Sequence, residues 1–114
     1  MPYIEAKLSI SLDETQKDDL QKKLAGAVSS AFSKPTAYIM TNIEDSKSLF
    51  MGGTKAEKGA YIVVKCLGSV SRPSCQSATK SICDMLTNDY GLNGSHIYVT
   101  YHPVENWGWN GSMF

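Results

Sequence analysis

Met1-Pro2-Tyr3-Ile4-Glu5-Ala6-Lys7-Leu8-Ser9-Ile10-Ser11-Leu12 opens the chain. Ile4, Ala6, Leu8, Ile10 and Leu12 alternate with Glu5, Lys7, Ser9 and Ser11. That two-residue period predicts a strand over 3–12 with one buried face and one wet face. Asp13 or Thr15 then offers an N-cap, with Gln16 or Asp18 three residues on as its capping-box partner. Leu20, Leu24, Ala27, Val28, Ala31 and Phe32 follow at helical spacing, so one stripe of a helix packs on the sheet. Pro35 stops the helix, because it disfavours helical geometry in the residue before it. Residues 37–43 read as a second strand, Leu49-Phe50-Met51 as a short apolar piece, and Gly52-Gly53 as a break.

The plan then repeats. Tyr61 to Leu67 is an apolar run interrupted only by Lys65, which predicts a central strand covered on both faces. Gly68 ends it, Ser71 to Ser74 supply caps, and Pro73 is placed to open a helix. Ala78, Ile82, Met85, Leu86 and Tyr90 form its apolar stripe, Gly91 stops it, and residues 97–101 make the matching strand. A shift of about 59 residues lays one half on the other, strand on strand and helix on helix. The fold class expected is α+β: two β-α-β repeats forming a four-stranded mixed sheet with both helices on one face. Residues 1–114 make a single domain. The second sheet face lacks cover unless the aromatic tail Trp107–Phe114 folds back or other copies of the chain supply it. Self-association solves both the open edges and the missing cover.

Eleven basic and eleven acidic residues leave no net charge. Nothing in them suggests a nucleic-acid or membrane-surface partner. A ferredoxin-like RNA-binding sheet fits the topology but lacks the aromatic and basic strand signature. The first residues have no basic start followed by an apolar core, so no signal peptide is expected and synthesis is cytosolic. Cys66, Cys75 and Cys83 form no C-x-x-C and read as reduced thiols. His96 and His102 have no third partner that would make a metal site.

The candidate chemistry lies at Pro2. Initiator methionine is normally trimmed before a small second residue, which would leave a free secondary amine anchored to a buried strand. An α-amino group titrates at about 7.7–8.0, well below a lysine side chain, and burial beside a cation lowers it further.

Met1-Pro2, Lys34-Pro35, Gly52-Gly53-Thr54, His96-Ile97-Tyr98-Val99 and the ending Asn106-Trp107-Gly108-Trp109-Asn110-Gly111-Ser112-Met113-Phe114 together resemble the macrophage migration inhibitory factor family of tautomerases. The resemblance runs from end to end. It implies a homotrimer whose three sheets wrap a central channel, with active sites between subunits. It also implies keto–enol tautomerisation of phenylpyruvate or dopachrome-type substrates, with Pro2 as the catalytic base and no metal or organic cofactor. By position, Lys34 is similar to the lysine that holds the substrate carboxylate. Leu67 stands where a backbone N–H contacts substrate, and Tyr98 matches a tyrosine lent by a neighbouring subunit. Trp109, Phe114 and Tyr38 resemble the aromatic wall. The partner implied is a small aromatic 2-keto acid.

Three positions depart from the family pattern. Thr100 replaces an asparagine that binds the far end of the substrate, and Trp107 replaces a small aliphatic residue at the rim. Gly59-Ala60-Tyr61-Ile62 occupies the place of a C-x-x-C, so no thiol-oxidoreductase activity is carried over. The resemblance also implies an alternative role: a cytokine-like immune modulator, released from the cytoplasm without a leader, that binds a host receptor of the invariant-chain type.

Overall fold

A computed structural model describes residues 1–114. Strand β1 (Pro2–Leu8) is followed by helix α1 (Glu14–Phe32) and strand β2 (Met40–Glu44). A short hairpin pairs β3 (Phe50–Met51) with β4 (Thr54–Lys55). The second half holds β5 (Ala60–Leu67), α2 (Arg72–Tyr90), β6 (Ile97–Val104) and a second hairpin, β7 (Gly108–Trp109) with β8 (Ser112–Met113). The main sheet has the order β2-β1-β5-β6. Its two outer pairs are parallel, and the central pair, β1 with β5, is antiparallel. This is the mixed four-stranded sheet expected from the sequence.

The expected first strand is too long by four residues. At Ser9 the chain leaves the ladder, because the Ser9 hydroxyl and amide and the Gly59 peptide satisfy one another instead. Leu12 stays buried nonetheless, its amide donating to the Asp45 carboxylate at 2.8 Å. The second strand also starts later than the pattern suggests. Thr36–Tyr38 form a single 3-10 turn, and the ladder begins at Met40. By contrast β6 runs three residues beyond the expected end, and Pro103 is tolerated there because β6 is an edge strand.

Asp13 caps α1 in a full capping box with Gln16: each side chain accepts from the other's amide, at 2.8 and 2.9 Å. Ser71 caps α2, and Pro73 sits in its first turn, where no intrahelical donor is needed. Leu20, Leu24 and Val28 of α1 meet Ala78, Ile82 and Leu86 of α2 over Ile4, Ala6, Leu8, Ile62, Val64 and Cys66 of the central strands. Burying one such side chain stabilises the fold by about 1.5–3 kcal/mol.

The opposite sheet face is only partly the bare apolar surface anticipated for β5. Val63 is buried there, but Lys65 is exposed. Polar groups tie much of the rest together: Asn42 donates to the Tyr3 hydroxyl and to Glu44, and Tyr61 bonds Thr100 at 3.0 Å. No helix is long and apolar enough to cross a membrane.

The internal repeat is closer than the sequence alone conveys. Strands begin at Pro2 and Ala60, helices at Glu14 and Arg72, 3-10 turns at Thr36 and Gly94, and hairpins at Phe50 and Gly108. Each pair is 58 residues apart. Even the left-handed turn residues correspond, Gly52-Gly53 with Asn110-Gly111 and Ser33 with Gly91.

Candidate active site

Pro2 begins β1 with its ring fully buried, its backbone in register with Cys66 of β5. The even positions of β1 face the helices, so the same alternation that builds the core seats the proline ring. Where β1 begins and β5 and β6 end, the sheet opens into a cavity of about 700 Å³. Pro2 lies on its wall with Tyr38, Met40, Lys65, Trp107 and Trp109.

Each aromatic reaches this place for a local reason. The 3-10 turn after Pro35 delivers Tyr38, and the second hairpin presents Trp109. Asn110 and Gly111 turn that hairpin with positive φ, 51° and 83°, a geometry that asparagine and glycine adopt at little cost. Trp109 meets Tyr38 edge-on at 6.2 Å and stacks on Phe114 at 5.9 Å. The Phe114 amide donates to the Trp107 carbonyl at 3.0 Å and fixes the chain end against the hairpin. Phe114 supports the wall through Trp109 and does not line the cavity itself. The tail therefore forms a hairpin at the mouth of the cavity and not a cover over the sheet.

Lys34 follows the left-handed cap of α1, with its amide bonded to the Ser29 carbonyl at 3.2 Å and the Ser29 hydroxyl donating to the Lys34 carbonyl. No carboxylate pairs with its ammonium. Lys34 does not contribute to the cavity wall, but its charge reaches the amino terminus. Burial first, and the Lys34 charge second, hold the Met1 amine below its ordinary value, against a smaller opposing effect of the Cys66 thiol. Burial pushes Cys66 itself up, which leaves it protonated and unreactive.

The Leu67 amide donates to the Met1 carbonyl at 3.2 Å. That carbonyl is bonded directly to the Pro2 nitrogen, and the contact carries the β1–β5 ladder one step past the pairing of Pro2 with Cys66. Met1 itself occupies part of the cavity.

Tyr98 is not brought to the site of its own chain. It lies near the start of β6, six residues before Val104 at the cavity, a span of about 20 Å along a strand. The residue is 62% exposed. The Thr100 hydroxyl is engaged on its own sheet by Tyr61 and by His102 Nε2 at 2.9 Å. Trp107, flagged at the rim, does line the cavity. Lys65 and Met40 were missed as wall residues. Strand alternation puts Lys65 on the face away from the helices, but only the β1–β5 register places it next to Pro2. No group of three His, Cys, Asp or Glu side chains is arranged to hold a metal ion.

The whole chain, residues 1–114, matches the family described as Macrophage migration inhibitory factor (MIF). Among curated relatives, the macrophage migration inhibitory factor of Xenopus laevis is 31% identical over 106 residues, covering 91% of this chain and 88% of that one. The D-dopachrome decarboxylase of Gallus gallus is 26% identical over 108 residues, 94% and 90% of the two chains. Among solved structures, MIF2 of Leishmania major superimposes with a TM-score of 0.90 at 27% identity, over 100% of this chain and 97% of that one.

Proposed function

From the premise that the chain belongs to the macrophage migration inhibitory factor family, we propose that it is a keto–enol tautomerase acting on small aromatic 2-keto acids such as phenylpyruvate. The observation that carries this reading is the position of the Pro2 nitrogen. It lies beside a largely apolar cavity, one residue from a Met1 amine whose positive charge burial and Lys34 disfavour, with the Leu67 N–H one carbonyl group away. Removal of Met1 makes that nitrogen a secondary amine and leaves the Leu67 donor without its acceptor.

A 2-keto acid entering the vacated space offers oxygen to the Leu67 N–H and its carboxylate to Lys34. Neutral Pro2 then takes a proton from the carbon next to the carbonyl. The C–H electron pair becomes the C=C bond, the carbonyl π pair moves onto oxygen, and the proton is returned to that oxygen to give the enol. Lys34 opposes protonation of the resting amine and offsets the negative charge that develops on oxygen. Tyr38 and Trp109 exclude water and stack on the substrate ring. The exposed Tyr98 completes a neighbouring site in a homotrimer.

The test is an assay of phenylpyruvate tautomerisation on protein shown by mass to lack Met1, beside a sample with a blocked amino terminus. Turnover is expected only in the first. Equal turnover in a sample that retains Met1 refutes the assignment of the base.

A further inference from the structure

The cavity that holds Pro2 carries a second cation that the mechanism above leaves unused. Lys65 carries the one charged side chain on its wall. Register puts it there: it faces Tyr3 across the ladder, one step from the pairing of Pro2 with Cys66. Its side chain is exposed and takes part in none of the molecule's ion pairs. Alternation sends Cys66 into the core and Lys65 away from it, so packing requires no cation at this position. Lysine is also a poor strand former, and β5 is a central strand otherwise rich in valine and isoleucine. Lys65 thus shares the wall of a largely apolar cavity with Trp107 and Trp109, and no anion of its own chain pairs with it.

We propose that Lys65 determines specificity by binding a second anionic group, so that the preferred substrates are aromatic 2-keto acids bearing a further carboxylate. This rests on the tautomerase reading of the same cavity. Lys34, whose charge acts on the amino terminus, serves the carboxylate beside the reacting carbonyl. Lys65 serves the other. An aromatic 2-keto acid with a second carboxylate matches a cavity whose wall carries Tyr38, Trp109 and Lys65 together.

The matched probes are phenylpyruvate and 4-carboxyphenylpyruvate, which differ by one carboxylate. On Met-free protein, the ratio of kcat/KM for the carboxylated compound over phenylpyruvate is expected to exceed one. It should fall about fivefold in Lys65→Met, the worth of a well-placed but solvated ion pair, and further in Lys65→Glu. Quenching of tryptophan fluorescence gives the ratio of the two Kd values in parallel, and Lys65→Gln replaces Lys65→Met if the latter does not fold. If Lys65 merely anchors the carboxylate common to both compounds, both lose alike and the unmoved ratio overturns the inference while the tautomerase reading stands. If neither compound turns over yet the Kd ratio falls in the variant, the tautomerase reading fails and the assignment of Lys65 stands. If the carboxylated compound neither binds nor turns over, the inference is overturned.

Discussion

A secondary amine at the head of a buried strand is a base only while it is unprotonated, so its titration sets the pH range in which it works. At the Met1 amine, burial first and the Lys34 charge second disfavour the ammonium form and lower the pKa, and the Pro2 amine that replaces it one residue on is expected to shift the same way. The sign follows: below that pKa the nitrogen holds its proton and cannot accept another, so kcat/KM rises with pH through it. Removing the cation in Lys34→Ala makes protonation easier and moves the acid limb to higher pH. The same change raises KM about tenfold, since a charge-assisted contact to the substrate carboxylate is lost. A kcat/KM profile from about pH 5 to about pH 9 checks both effects. An acid limb that stays in place would assign the shift to burial alone. At this scale Pro2 stood out from the strand pattern and the resemblance together, while Tyr38 and Trp109, which share its cavity wall, stood out from the resemblance alone. Lys65 was not. Alternation tells on which face a residue lies, but not which residue of the next strand it faces, and only the register gives that.

The elements that hold the site are stabilised by devices whose loss can be measured separately. The Asp13 side chain satisfies the Gln16 amide at the start of α1, far from the cavity. Asp13→Ala is expected to cost about 1 kcal/mol and to lower Tm by about 4 to 6 °C, with activity retained at temperatures where the protein is folded. Gly111 is the reverse case. Its φ of 83° is strained for any side chain, by about 1–2 kcal/mol, but the hairpin it turns is exposed and adds little to the core. Gly111→Val should therefore leave thermal unfolding nearly unchanged and raise KM for phenylpyruvate about threefold, as Trp109 loses its seat between Tyr38 and Phe114. Helices and central strands were legible because their apolar periods are long and their caps explicit. The turn at Thr36–Tyr38 was not, since Ala37 and Ile39 alternate as a strand would while Pro35 starts the chain on a tight turn. Asn110-Gly111 is a strong hairpin signal. It was hidden by the aromatic content of the tail, which invites a reading as cover for the sheet.

At the scale of the whole molecule, two halves offset by 58 residues build a sheet with helices on one face, open edges at β2 and β6, and exposed Phe50, Tyr98 and Met113. A sedimentation or light-scattering mass of three times 12.5 kDa is expected of the assembled protein. The stronger prediction concerns which chain completes which site. Pro2 and Tyr98 lie at opposite ends of the sheet of one chain, so a site that needs both must draw them from different copies. Consider Pro2→Gly and Tyr98→Ala chains, each inactive or nearly so when pure, unfolded together and reassembled as mixed trimers. If one chain supplied both residues, every site in the mixture would carry a defect and activity would stay absent. If they come from neighbours, a Tyr98→Ala chain contributes an intact Pro2 to a site completed by the Tyr98 of a Pro2→Gly chain. Random assembly at equal amounts then restores about a quarter of the sites. Phenylpyruvate turnover in the reassembled mixture, compared with each variant reassembled alone, decides between the two. Recovery places the active site between subunits, and its absence confines the chemistry to the single chain.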